Sequence, residues 1–177
     1  MTTKPHQKLN AFWDNLFHQG DDPDKKDILE ILSKVPLFSQ LNKNELRRVA
    51  KIIYERHYSK GEFLFRKGEP GAAMFIIRSG QVDIVMTKDE EDEEVGMILA
   101  SLGPGSFLGE LALLDDTPRS AGAIAATNTK AMAFFRADLN KLIDTEPKIG
   151  SLILKELALI IGKRLKVTNE QLYNAKG

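Results

Sequence analysis

Gly109-Glu110-Leu111-Ala112-Leu113-Leu114-Asp115-Asp116-Thr117-Pro118-Arg119-Ser120-Ala121 is the stretch on which the reading of this 177-residue chain turns. An acid follows its opening glycine, an arginine stands near its end, and a short apolar turn lies between them. Gly109 has no Cβ, so a ligand can approach its backbone closely, and Glu110 to Leu114 can form one helical turn whose free N–H groups point outward. Arg119 adds a planar, permanently charged fork that matches two phosphate oxygens, and Ser120 adds a hydroxyl donor. Glu110 would repel a phosphate but would accept a hydrogen bond from a sugar hydroxyl. The combination suggests a site for a ribose phosphate.

Outward from that stretch, residues 54–136 read as short alternating segments at 62–65, 74–78, 82–86, 95–102, 121–126 and 131–135. Gly61, Gly68, Gly71, Gly80 and Pro104-Gly105 punctuate them. Helical periodicity covers 24–34 and 42–53 before this region, and 137–145 and 147–174 after it, with a break at Glu146-Pro147. The expected fold is α+β: an antiparallel β-roll of the double-stranded β-helix or jelly-roll type, flanked by helices at 25–53 and 137–174. Residues 1–24 form an extension ending in Gly20-Asp21-Asp22-Pro23, and 25–177 form the ligand-binding domain. On the last helix Ile149, Leu152, Ile153, Leu157, Ile160, Ile161, Leu165 and Leu172 form an apolar stripe, and Ile153, Leu157, Ile160, Ile161 and Leu165 offer more apolar surface than one contact face needs, which favours a homodimer over packing on the chain's own roll.

Residues 105–121 resemble the phosphate-binding cassette of the cyclic nucleotide-binding domains. The resemblance extends over about residues 28–172, through Lys60-Gly61, Gly68-Glu69, Phe75-Ile76 and Ser79-Gly80-Gln81-Val82. Within that family it includes the sensor half of the bacterial cAMP receptor proteins, at Met97-Ile98-Leu99 and at Arg164-Leu165-Lys166-Val167-Thr168-Asn169-Glu170.

It implies that Glu110 takes the ribose 2′-hydroxyl and that Arg119 and Ser120 take the cyclic phosphate, cradled by Gly109, Leu111 and Ala112. It also implies that Thr168 and Asn169 read the adenine edge, Asn169 standing where a serine is the family pattern, and that Val82, Ala100 and Leu102 form an apolar purine wall. On binding, Phe107 and Leu108 would repack against Leu139, Leu142 and Ile143 while the last helix closes over the base. The implied ligand is cAMP, with cGMP or another cyclic nucleotide as the alternative. The implied dimer is two-fold and parallel through the last helix. The chain stops at Gly177, where the transcription factors of this family continue into a helix-turn-helix, so no DNA partner is expected.

Composition agrees with a regulatory protein that acts by binding. Lys+Arg and Asp+Glu both number 25, which removes the electrostatic case for nucleic acid or an anionic membrane. There is no cysteine, and His6, His18 and His57 are scattered, so neither thiolate chemistry nor a metal centre is expected and no catalytic constellation can be assembled. Met1–Gln7 carry no apolar leader and no run spans a bilayer, making a cytoplasmic location the default. Two features fall outside the nucleotide reading: an acidic run at 89–94 that reads as a solvated hairpin tip, and a stripe of Leu9, Phe12, Trp13, Leu16 and Phe17 at helical spacing. A scaffold whose pocket is vestigial, and which docks through those two features, is the competing reading. Lys163 and Arg164 read as solvated charges, with capping of the nucleotide as the alternative.

Overall fold

A computed structural model describes residues 23–86 and 96–175. The aromatic stripe and the acidic run lie outside the described residues. Helix α1 (Pro23–Lys34) and helix α2 (Lys43–Ala50) are joined through a 3-10 turn at Pro36–Phe38. Asn42 starts α2 with a reciprocal capping box: its side chain accepts the N–H groups of Asn44 and Glu45, and Glu45 accepts the Asn42 N–H at 2.9 Å. The helix expected over 42–53 ends at Ala50, and Ile53–Tyr58 is instead a strand, β1. Its mostly exposed Ile-Tyr-Glu-Arg-His-Tyr sequence carries no apolar alternation because β1 is an edge strand, paired with β8 alone.

The remaining strands are β2 (Phe63–Phe65), β3 (Ala73–Ser79), β4 (Val82–Met86), β5 (Met97–Leu102), β6 (Phe107–Leu108), β7 (Gly122–Ala125) and β8 (Thr129–Phe135). They form two four-stranded antiparallel sheets, ordered β1-β8-β3-β6 and β2-β7-β4-β5, which is the expected antiparallel roll with flanking helices. Strands β3 and β8 are central to the first sheet and buried on both faces, so their sequences run continuously apolar. On the inner face Ala73, Phe75, Ile77, Ala131 and Ala133 meet Leu64, Val82, Leu108, Ala123 and Ala125 between the sheets. On the outer face Met74, Ile76, Met132 and Phe134 pack against the helices. The many alanines keep the sheets close together inside the roll.

Helix α3 (Arg136–Thr145) and helix α4 (Pro147–Ala175) meet at an elbow at Glu146, with Pro147 opening α4. A Cβ on Gly150 would stand 2.7 Å from the Ile143 Cα, so its absence lets the two helices cross closely. In α4, Ile149, Ile153 and Leu157 are buried, whereas Leu165, Val167, Leu172 and Tyr173 are exposed. No helix among the described residues is long and apolar enough to cross a membrane.

Two ion pairs tie α2 to the elbow: Lys148 Nζ with Glu45 Oε1 at 2.8 Å, and Arg48 with Glu146. Lys148, and then the Asn42 backbone N–H, hold the Glu45 carboxyl below the ordinary glutamate value. A carboxyl lowered in the folded state adds stability above its unfolded value and loses it as pH falls through the folded value. The melting temperature is therefore expected to fall as pH drops below the usual carboxylate range, and to fall less steeply in Glu45→Gln, measured by thermal unfolding across an acid series.

Candidate functional site

Strand β6 ends at Gly109, which adopts a left-handed φ of 72° and starts a 3-10 turn at Glu110–Leu113. A Cβ on Gly109 would meet Arg119 Nη1 at 2.5 Å, so both the backbone angle and the arginine's position call for glycine. The turn leaves the N–H groups of Glu110 and Leu111 without intrahelical acceptors.

Arg119 is held from several directions. Its backbone N–H donates to Glu69 O at 2.8 Å and its carbonyl accepts the Gly68 N–H at 2.9 Å. Its guanidinium donates through Nη2 to Ala73 O at 2.6 Å and through Nη1 to Gly109 O at 3.2 Å, and it stacks over Phe65 with Cζ 4.1 Å from the ring centroid. Burial lowers its pKa, opposed by Glu69 and Glu110, but an arginine stays charged at neutral pH. Among the described residues, Arg119 Nε is a buried N–H with no acceptor. Leaving such a donor unpaired costs about 1–3 kcal/mol, more for a charged group, which an incoming anion would relieve.

Glu110 is 5% exposed and forms an ion pair with Arg164 of α4, whose Cζ lies 5.2 Å from the Phe107 ring centroid. These groups border a cavity of about 550 Å³ lined also by Phe65, Ile84, Ala100, Leu102 and the turn itself. That volume is in the range of small-molecule pockets, with an apolar wall on one side and a few convergent polar groups on the other. Among the described residues no cluster of His, Cys, Asp and Glu could hold a metal ion.

The family profile for the cyclic nucleotide-binding domain matches residues 55–146, which contain most of β1, all of β2 to β8, the turn and α3. The chain belongs to that family. A cyclic AMP receptor protein of Thermus thermophilus is 34% identical over 137 residues, 77% of this chain. A cGMP-dependent protein kinase of Caenorhabditis briggsae is 36% identical over 117 residues, 66% of this chain. The chain spans 60% of the length of the first and 15% of the second. The crystal structure of a cyclic nucleotide-binding domain from Methylobacillus flagellatus superimposes with a TM-score of 0.70 at 26% identity, covering 91% of this chain and 94% of that one.

In this cyclic nucleotide-binding domain, Gly109, Glu110, Leu111, Ala112, Arg119, Ser120, Ala100 and Leu102 all line the one cavity. Three expected residues do not. Val82 is fully buried between the sheets, beside Leu102 and Ala125, where they approach too closely to leave a surface. Ile84, two residues further along the same strand face, takes the wall position instead. Thr168 and Asn169 sit on an exposed part of α4 and do not line the cavity of their own chain, and the Thr168 hydroxyl donates back to Arg164 O at 3.0 Å. Phe107 packs toward the helices and Leu108 toward the roll interior, and both border the cavity.

Arg164, expected as a solvated charge or else as a cap on the nucleotide, is half exposed and is the described α4 residue that borders the cavity. Nothing local in the sequence marks it, since its partner is 54 residues away. Gly109→Ala is expected to displace the Arg119 guanidinium, weakening cyclic nucleotide binding by more than about tenfold while costing about 1–3 kcal/mol of stability. Titration calorimetry and urea unfolding of the same variant check both.

Proposed function

We propose that this protein is a cAMP-binding regulatory module whose output is a change of shape passed to a protein partner, not a reaction. The buried, unpaired Nε of half-buried Arg119, beside an acid suited to a sugar hydroxyl, is the observation that carries this reading. The cyclic phosphate would take the free donors of Arg119, Ser120 and the turn, and the ribose 2′-hydroxyl would bind Glu110. The purine would lie along Ile84, Ala100 and Leu102.

Glu110 is shared with Arg164, so ligand and α4 compete for, or divide, the same carboxylate. Ligand thereby shifts the position of α4 by its differential affinity for the two arrangements. The exposed Leu165, Val167 and Leu172 on α4 support a homodimer through that helix, and such a pair leaves Thr168 and Asn169 to the paired assembly. Adenine is proposed over guanine because the chain resembles the cAMP receptors along α4, and competition between cAMP and cGMP decides it.

Calorimetric titration of the wild type is expected to show cAMP binding tighter than cGMP. Arg119→Ala is expected to lose about 2–5 kcal/mol of it, as for a desolvated charged hydrogen-bonding group. No heat and no rise in melting temperature with either nucleotide would overturn this reading in favour of a scaffold. Sedimentation is expected to show a dimer that Leu165→Glu converts to monomer, and a monomeric wild type would remove the dimer from the proposal.

A further inference from the structure

We infer that Arg136 is a positioning residue for the anion-binding turn, bracing it from the side opposite the ligand; this rests on the nucleotide reading of the site. Arg136 is the first residue of α3 and does not line the cavity. Its backbone N–H donates to Ala72 O at 2.9 Å, and its Nη1 donates to Gly71 O at 3.2 Å and to Ala112 O at 3.3 Å. Ala112 O lies at the closing end of the 3-10 turn, where carbonyls lack helical donors and the turn's dipole favours a cation.

Arg119 does the corresponding thing at the opening end, joining Gly109 O to Ala73 O. Two guanidinium groups therefore cross-brace the same two segments, the 71–73 lead into β3 and the turn, one at each end of the turn. They differ in exposure to ligand. Arg119 borders the cavity and has an unpaired donor, so an anion pulls on it directly, whereas Arg136 stays off the cavity, hydrogen-bonding backbone carbonyls and attracting the Asp115 carboxylate just past the turn. The braced gap is already closed: a Cβ on Gly71 would lie 2.7 Å from the Ala112 Cβ. With Arg136 in place, the turn keeps its register on β3 when Arg119 engages the phosphate. Because Arg136 also opens α3, a displacement of the turn is passed to the helix that meets α4 at the elbow.

The test uses cAMP and the two phosphorothioate diastereomers of cAMP, in each of which one exocyclic phosphate oxygen is replaced by sulfur, a weaker acceptor. Their affinity ratio reports how fixed the donors around phosphorus are, which a loss of stability alone does not alter. Arg136→Gln is expected to weaken cAMP by about tenfold or more and to bring the diastereomer ratio toward one, with Arg136→Lys intermediate in both. Affinity and ratio both staying within about twofold of wild type, even with a lowered melting temperature, would overturn the inference.

If the glutamine variant does not fold, Arg136→Lys carries the same two readouts with the same outcomes. A wild type that binds none of the three nucleotides overturns the nucleotide reading instead. Amide exchange of the unliganded variant then decides the brace: faster exchange confined to 109–115 supports it, and unchanged exchange there refutes it.

Discussion

A charged guanidinium held under the surface by backbone carbonyls is the constraint around which this molecule is arranged. Arg119 cannot be buried without acceptors, and the fold supplies Gly109 O from the turn and Ala73 O from the head of β3, with the Phe65 ring beneath. Those three groups come from separate segments, so correct placement of Arg119 requires the two sheets, the turn and the loop at Gly68-Glu69 to be in register together. The Arg119 Nε–H is buried without an acceptor, and the residue borders the cavity.

Around that centre the roll and the helices have different tasks. The alanine-rich interior holds the sheets close and rigid, so the cavity wall at Ile84, Ala100 and Leu102 is set by strand register. The helices pack on the other face of β3 and β8 through a separate apolar cluster, and touch the site through Arg164. The Glu110–Arg164 pair thus joins α4 to the site outside the roll interior. The ion pairs of Glu45 with Lys148 and of Arg48 with Glu146 fasten the elbow of α4 to α2, at the end of α4 remote from Arg164.

Much of the fold was legible because its signals are local. Glycines at 61, 68, 80 and 105 do have positive φ, and Pro147 does open the last helix. Strand β1 was missed for an equally local reason: an exposed edge strand carries polar residues on both faces and leaves no period to detect. Val82, which the resemblance puts in the purine wall, lies in the interior cluster instead, because a family position does not tell how far along a strand face the second sheet covers it.

The amino-acid sequence by itself determined the cassette, with its glycine for a left-handed turn, its acid and its arginine, because residue type and spacing specify that chemistry within thirteen residues of chain. It also determined the order of helices and most strands. Only the tertiary structure decided that Arg164 pairs with Glu110, that Thr168 and Asn169 stand clear of their own cavity, and that Arg136 clamps the far end of the turn. Those facts depend on where α4 crosses the roll and where β8 hands over to α3. Such crossings are set by packing between segments far apart in the chain, which leaves no spacing in the sequence to read.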